Sequence, residues 1–186
     1  MKKLFTVLLA LVALVSLWQA PRTAQAAEAA PTDEQVLAAY QEATTVHNWF
    51  FGTSLPTNGK DKKEYGYLIY YNVDYPSIKL SVDLQRETQK VFTVEFANAL
   101  IGKSLRYKDF DGWLYVCPIN IAKSKRIGEA TYQVERLAPD KIVLHVTTQL
   151  INPKSKDHVV VGSKTTDFSY VNTIAGWRFA TFSTIR

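Results

Sequence analysis

The sequence is poor in the residue types that build disulfide frameworks and metal centres. Its 186 residues include one cysteine, one methionine and three histidines. A single cysteine excludes an internal disulfide and any zinc or iron–sulfur site held mainly by cysteine. The three histidines stand apart in the sequence, with no acidic residue at ligand spacing. We therefore predict no metal and no cofactor.

The first 26 residues have the three parts of a secretory signal peptide. Two lysines precede the apolar run 4–18, and the small residues at 24–26 offer a cleavage site for a signal peptidase. The run has 15 residues, fewer than the roughly 20 that a spanning helix needs. The alternative interpretation is an uncleaved N-terminal anchor. We expect an exported protein, extracellular, cell-wall or periplasmic, with a short disordered start at 27–31 and a single domain over residues 32–186.

Without the signal peptide, the chain also lacks a large excess of either basic or acidic residues. The whole chain carries 22 basic and 17 acidic residues, a formal charge of +5. Removing Lys2, Lys3 and Arg22 leaves 19 basic residues against 17 acidic ones, a formal charge of +2. The remaining basic clusters lie at 60–63 and 123–126, in polar stretches typical of solvated loops. We therefore predict no nucleic-acid partner and no membrane span after cleavage.

The mature chain begins with a clear helix signal. Thr32 is an N-cap candidate, and Gln35 stands where it would close a capping box. Apolar or aromatic residues then recur at steps of three and four, on one helix face: Val36, Tyr40, Ala43, His47 and Phe50. We predict a helix that ends near Gly52, a polar loop over 53–64, and an alternating strand over 64–73.

The remainder of the chain indicates one more helix followed by a run of strands. Ser81 is expected to cap a helix that ends at Gly102. Asp111-Gly112 between two apolar runs is a strong two-residue hairpin signal. Further strands are predicted over 129–137, 141–151, 158–171 and 177–185. The predicted fold class is α+β, with two helices packed on one face of a curved antiparallel sheet.

The common catalytic motifs are absent: there is no Gly-x-Ser-x-Gly, no phosphate loop and no His-Glu-x-x-His. Cys117 ends the apolar strand 113–117, which favours a buried, inert thiol over a nucleophile paired with one of the histidines. His47 and His145 are interpreted as core or boundary residues, and His158 starts a strand. The alternative of an enzyme that performs acid–base catalysis with scattered Asp and Tyr residues stays open.

Half of the ten tyrosines lie within eleven residues: Tyr65, Tyr67, Tyr70, Tyr71 and Tyr75. A tyrosine ring has apolar faces and a polar tip, which suit stacking on sugar rings or anchoring a protein interface. The alternative is that tyrosine is simply favoured in strands and packs on the helices. Both faces of the predicted strand carry tyrosine, so we expect at least one face to meet solvent or a ligand.

Two tryptophans each follow a turn. Asp111-Gly112 precedes Trp113, and Gly176 precedes Trp177. We expect both indoles to fill the ends of the sheet core. Arg178 is a candidate to pair with an acid on a neighbouring strand.

The order helix, strand, helix and meander, ending in Gly176-Trp177-Arg178-Phe179, is similar to the NTF2-like (cystatin-like cone) superfamily. The similarity covers most of the mature chain and rests on topology. It implies a cone-shaped sheet with a pocket between the first helix and the sheet, in which a small ligand is bound or transformed.

Two stretches, 91–97 and 107–118, resemble a family of secreted bacterial DL-endopeptidase inhibitors. The resemblance implies an envelope protein that blocks NlpC/P60-type cysteine peptidases, which cut peptidoglycan stem peptides, and so restrains autolysis. The family's inhibitory loop corresponds to residues 118–128. That loop is basic here because of Lys123, Lys125 and Arg126, whereas the family's loop is small, glycine-rich and acidic-leaning.

Three hypotheses follow. The first is a non-enzymatic envelope protein that binds a cell-wall hydrolase or peptidoglycan itself, with the five clustered tyrosines and the basic loop as candidate contacts. The second is a cone-fold domain with a small-ligand pocket. The third is a structural or assembly module. We favour the first, because it agrees with the export signal, the missing catalytic motifs and the tyrosine cluster.

Overall fold

The computed structural model describes residues 30–118, 126–154 and 159–185. The predicted signal peptide therefore lies outside the described residues. Within them the chain forms three helices and eight strands. In chain order these are α1 (Asp33–Phe51), β1 (Thr57–Tyr65), β2 (Leu68–Val73), α2 (Ser81–Gln89), α3 (Val94–Lys103), β3 (Tyr107–Phe110), β4 (Trp113–Val116), β5 (Ile127–Ala138), β6 (Lys141–Ile151), β7 (Val160–Thr173) and β8 (Gly176–Phe179).

The predicted α+β class is confirmed, and the described strands form two sheets instead of one. The first sheet has the order β1-β2-β4-β3 and the second the order β5-β6-β7-β8, with every neighbouring pair of strands antiparallel. The β3–β4 hairpin closes through Asp111 and Gly112, which have φ values of 51° and 78°. Two consecutive residues with positive φ are what a tight two-residue hairpin turn requires.

Helix α1 begins and packs as predicted. The Thr32 hydroxyl accepts from the Gln35 backbone N–H at 3.3 Å, and the Gln35 side chain accepts from the Thr32 N–H at 2.8 Å. This reciprocal capping box satisfies two amides that a helix start leaves without partners. The buried side of α1 comprises Val36, Ala43, Val46, His47 and Phe50, with Tyr40 half-buried beside them.

The predicted loop over 53–64 is wrong, as is the continuous strand over 64–73. The stretch forms a hairpin, in which β1 and β2 are joined at Gly66-Tyr67. Gly66 has a φ of 64°, a left-handed conformation that glycine adopts without steric cost and that lets the chain reverse there. β1 is an edge strand whose side chains are mostly exposed. It therefore lacks the apolar alternation by which a strand is recognised.

The single helix predicted over 81–102 is two helices, α2 and α3. Thr93 caps α3 by accepting from the Phe96 N–H at 3.3 Å. The backbone before it pairs with the end of β8: the Thr93 N–H donates to the Phe179 carbonyl at 3.0 Å, and the Phe179 N–H to the Val91 carbonyl at 2.9 Å. This pairing replaces helical hydrogen bonds and ends α2. The N-cap of α2 is Leu80, one residue before the predicted Ser81.

One main core is shared by all three helices and both sheets. Its fully buried members include Val36 of α1, Leu84 of α2, Leu114 of the first sheet, and Leu144 and Phe168 of the second. The Phe182 ring centroid lies 5.4 Å from that of Phe92 and 5.5 Å from that of Phe179. No helix among the described residues combines the length and apolar character needed to cross a membrane.

Candidate functional site

The outer face of the first sheet carries aromatic side chains that the main core does not use. Leu114 and Val116 of β4 are buried in the main core. Successive side chains of a strand alternate between faces, so Trp113 and Tyr115 point to the opposite side. In the antiparallel register Phe110 lies opposite Trp113. Directly paired residues share a face, and Phe110 therefore lies on the outer face as well.

The same register extends this face across the other strands. Lys108 lies opposite Tyr115, and Lys63 of β1 lies opposite Tyr70 of β2. Tyr70 packs edge-on against Phe110, with ring centroids 5.6 Å apart, which places it on the same side. We call this surface the aromatic face; its residues are Lys63, Tyr65, Tyr70, Lys108, Phe110, Trp113 and Tyr115.

The floor of the aromatic face is a small hydrophobic core of its own. Tyr70, Tyr115 and Cys117 are buried there, with Leu68 and Phe110 packed against them. The rings of Phe110 and Tyr115 meet edge to face at 5.3 Å, a favourable aromatic geometry. The Tyr70 hydroxyl donates to the Leu105 carbonyl at 2.9 Å, and burial raises the pKa of Tyr70. The exposed rings therefore rest on a well-packed floor.

Polar contacts tie β1 to the β3–β4 hairpin across the face. The Tyr115 hydroxyl donates to the Asp61 carboxylate at 2.6 Å, and this hydrogen bond is the main reason that the pKa of Tyr115 is raised. Lys63 forms an ion pair with Asp111 at 2.8 Å, and its hydrogen bond to that carboxylate raises the pKa of Lys63. β1 and β3 are opposite edges of the sheet, yet Lys108 of β3 contacts the Tyr65 ring of β1, so the sheet curls around the aromatic face.

The exposed part of the face combines two rings with a lysine. Tyr65 is 56% exposed and Trp113 is 51% exposed. The Lys108 ammonium lies 4.0 Å from the Tyr65 ring centroid and 5.9 Å from that of Phe110. These contacts link Tyr65 to Phe110, whose cross-strand partner is Trp113. The result is a partly exposed aromatic surface with ammonium groups beside it, a combination suited to anchoring a protein or stacking on a sugar.

The structure separates the five clustered tyrosines. Tyr65 and Tyr70 lie on the aromatic face, one exposed and one in its floor. Tyr67 is 94% exposed in the β1–β2 turn. Tyr71 is half-buried on the inner side of β2, opposite Lys62. Tyr75 packs edge-on against Trp49 at 5.8 Å.

The predicted basic loop is only partly described. Lys123 and Lys125 lie outside the described residues. Arg126 is exposed immediately before β5, and its carbonyl accepts from the Ile151 N–H at 2.8 Å. It therefore belongs to the second sheet, whereas the aromatic face belongs to the first. The structure does not bring Arg126 into the tyrosine cluster.

The two tryptophans differ. Trp177 is buried as predicted, with its ring 5.4 Å from that of Tyr170. The expectation for Trp113 is wrong, because its ring points to the outer face. The Asp111-Gly112 turn contained the signal: a two-residue hairpin fixes the register and so pairs Trp113 with Phe110. Arg178 donates to the carbonyls of Gln89 at 3.0 Å and Trp177 at 2.7 Å, in place of an acid on a neighbouring strand.

His145 lies between two carboxylates that sequence spacing did not reveal. Its Nδ1 is 2.8 Å from Asp167 on β7, and its Nε2 is 3.0 Å from Glu135 on β5. These hydrogen bonds, that to Asp167 first, raise the pKa of His145. The contacts join three strands across the outer face of the second sheet. The separations of 22 and 10 residues are set by cross-strand register, which a search for local ligand spacing misses.

Among the described residues, no group of three or more His, Cys, Asp or Glu side chains is arranged to hold a metal ion. Cys117 is 8% exposed, in the floor of the aromatic face, where burial restricts access to its thiol. The geometry of the aromatic face therefore suits binding better than covalent chemistry.

A groove of about 400 Å³ lies elsewhere, between α1, α3 and the C-terminal segment. Its apolar lining includes Phe51, Phe96 and Phe182, and Lys103 lies at its edge. The Nδ1 atom of His47 lies 3.3 Å from the Thr184 hydroxyl. Between α1 and the sheets, where a cone pocket was expected, the buried side chains include Phe50 and Phe92. A second groove, of about 430 Å³, lies at the start of α1 beside Tyr170 and Trp177.

No model of a known family matches the chain, and no curated protein matches it at a significant level.

Proposed function

We propose that this chain is an exported, non-enzymatic binding protein of the cell envelope, and that its aromatic face holds a cell-wall hydrolase of the NlpC/P60 DL-endopeptidase type. Binding there would restrain the digestion of peptidoglycan. One observation carries the proposal: two half-exposed rings, Tyr65 and Trp113, stand over a buried aromatic floor.

The aromatic face is held in shape before a partner binds, which lowers the entropic cost of binding. Tyrosine and tryptophan have few rotatable bonds, and residues of these types supply much of the binding energy at protein interfaces. Phe110, the cross-strand partner of Trp113, packs against Tyr115 in the floor, and Tyr115 is fixed by its hydrogen bond to Asp61. A surface already held in shape loses less conformational entropy when it is covered by a partner.

The charges around the rings are mixed. Lys63 and Lys108 supply positive charge, and Asp61 and Asp111 supply negative charge. Such a balance gives a face that selects a partner by the position of charges, without the large potential that draws polyanions nonspecifically. This supports a folded partner over an anionic polymer.

The test is peptidoglycan digestion by a purified NlpC/P60 enzyme, with the chain added in increasing amounts. We expect digestion to slow by an equimolar ratio for the unmodified protein. The Trp113→Ala variant should need a much larger excess, whereas Thr147→Ala on the second sheet should act like the unmodified protein. Unchanged digestion at large excess of the unmodified chain would contradict the proposal.

A second measurement separates the hydrolase from its substrate as the partner. Sedimentation of the chain with insoluble peptidoglycan, in the absence of enzyme, should leave it in the supernatant. The chain could instead sediment with peptidoglycan, and the Trp113→Ala variant could fail to do so. In that case the aromatic face would remain the binding site, but its partner would be the wall polymer and not the hydrolase.

A second candidate function is favoured by the groove between α1 and α3. Its volume of about 400 Å³ lies in the range of small-molecule sites, and Lys103 at its edge suits an apolar molecule with a carboxylate. A thermal-shift survey of aliphatic and aromatic carboxylates tests this candidate. Stabilisation that Lys103→Met weakens would support it, and no stabilisation by any compound would count against it.

A further inference from the structure

The end of the second sheet farthest from the β7–β8 turn combines exposed apolar residues with basic ones. It is built from the start of β5, the end of β6 and the start of β7. Ile127 pairs with Leu150, and Ile151 pairs with Val160. The Asn152 N–H donates to the Val159 carbonyl at 2.9 Å. We call this end the valine tip.

Three consecutive valines are exposed at this tip. Val159, Val160 and Val161 have 51%, 50% and 65% of their surfaces exposed. Neighbouring residues of a strand point to opposite faces, so apolar side chains are exposed on both sides of β7 here. Ile127, Leu150 and Ile151 are half-buried beside them. An exposed apolar cluster of this kind marks a surface that contacts a membrane or another protein.

The charged groups around the valine tip are mainly basic. Three basic residues are exposed there: Arg126 immediately before β5, Lys154 after β6 and Lys164 on β7. Among the described residues at this end of the sheet, the exposed acidic residue is Glu129. Apolar side chains flanked by lysine and arginine are typical of segments that lie in the interface of an anionic membrane, where each basic residue near the surface adds about 1 kcal/mol.

We propose that the valine tip inserts into the surface of an anionic lipid membrane and so holds the domain against it. The three valines enter the headgroup region, and the basic residues pair with lipid phosphates. The charge complementarity supports an anionic lipid over an apolar protein partner, which would not require a ring of basic residues. This inference concerns a different surface from the aromatic face and does not depend on the proposed hydrolase partner.

The test places an environment-sensitive thiol-reactive fluorophore at Val161→Cys in the full-length protein. The matched control is Ile174→Cys, at the fully exposed turn between β7 and β8 at the other end of the sheet. The unmodified chain, treated in parallel, measures labelling of the buried Cys117. Vesicles contain equal parts of phosphatidylglycerol and phosphatidylcholine, or phosphatidylcholine alone.

We expect a blue shift of the probe at 161 with the anionic vesicles, little shift with the neutral ones, and none at 174. The apolar run 4–18 is common to both labelled proteins, so its own affinity for lipid would not produce a difference between them. No shift at 161, or equal shifts at 161 and 174, would overturn the proposal. A shift at 161 on addition of a soluble hydrolase but not of vesicles would also overturn it, in favour of a protein partner.

Two variants sharpen the result. Val160→Ser should weaken binding to anionic vesicles about tenfold, because it removes an apolar side chain from the tip. Lys154→Gln should weaken it about fivefold and reduce its dependence on salt. Binding that neither variant changes would contradict the assignment of these residues.

Discussion

Each sheet of this protein turns one face to the main core, yet the two outer faces are covered by different kinds of side chain. On the second sheet, the pairing of β5, β6 and β7 puts small polar residues in rows, among them Thr131 beside Thr147 and Thr147 beside Thr165. The Glu135–His145–Asp167 contacts complete what we call the polar face. On the first sheet, aromatic rings take these positions.

When only one side of an antiparallel sheet packs on the main core, the other side can be covered in two ways, and this protein shows both. Threonine and similar side chains leave the polar face hydrated, so it needs no covering layer. The aromatic face has a second small core with rings above it, and half of the surface of Tyr65 and of Trp113 stays in water. Apolar rings left exposed in this way are the reason that we assign partner binding to the first sheet.

The largest effect is expected from removing the floor of the aromatic face. Tyr115→Ala should lower the free energy of unfolding by about 3 kcal/mol, because it leaves a cavity beside Tyr70 and Phe110. Thr147→Ala on the polar face should cost less than about 1 kcal/mol. Urea unfolding of the two variants measures both values. Equal losses would contradict the existence of a second core on one sheet only.

A smaller effect, in binding only, is expected from the exposed rings. Trp113→Ala should weaken binding of the hydrolase by about 2 kcal/mol, roughly thirtyfold. The melting temperature should change little, because about half of the indole is already in water. Calorimetric titration and thermal unfolding of the same sample separate the two. A variant that loses stability and binding together would indicate a packing role for Trp113.

The polar face should show a dependence of stability on pH near neutrality, because its group with a shifted pKa is a histidine, whereas those of the aromatic face are tyrosines and a lysine. The contacts with Asp167 and Glu135 raise the folded-state pKa of His145 above its usual 6.5. Their stabilising effect is therefore complete below about pH 6.5, while the carboxylates are ionised, and is lost as pH rises through the raised pKa. The melting temperature of His145→Gln should fall furthest below that of the unmodified protein near about pH 5.5. By about pH 9 the two should converge; a gap that widens with pH would contradict this account.

The smallest effect is expected at the Lys63–Asp111 ion pair. Its side chains are 38% and 77% exposed, and exposed pairs add little to stability. Asp111→Asn keeps a residue type that tolerates the positive φ of this turn, so it removes only the charge. We expect no measurable change in melting temperature. A clear loss would show that the ion pair, in addition to the buried floor, holds the sheet in its curled form.

Local patterns were sufficient for the parts of the fold that neighbouring residues determine. The α1 cap depends on Thr32 and Gln35, three positions apart, and the β3–β4 hairpin depends on adjacent Asp111 and Gly112. Strand β1 was missed because an exposed edge strand needs no apolar alternation. The break between α2 and α3 was missed because the backbone at 91–93 pairs with Phe179, far away in sequence.

The candidate site could be predicted only in part for the same reason. The tyrosine cluster drew attention to Tyr65 and Tyr70, but Tyr71 and Tyr75 face other parts of the molecule. The hydrogen bond of Asp61 with Tyr115 and the ion pair of Lys63 with Asp111 join residues 54 and 48 positions apart. Such contacts depend on how the sheet curls, which no short sequence pattern encodes.

Hydroxyl-radical footprinting of the complex with an NlpC/P60 enzyme tests the central claim most directly, since tyrosine and tryptophan react readily with the radical. Tyr132 on β5 is an internal control, because it is 48% exposed but belongs to the second sheet. We predict that the enzyme protects Tyr65 and Trp113 from oxidation and leaves Tyr132 unchanged. Protection of Tyr132 with unchanged oxidation of Trp113 would contradict the claim that the aromatic face is the binding surface.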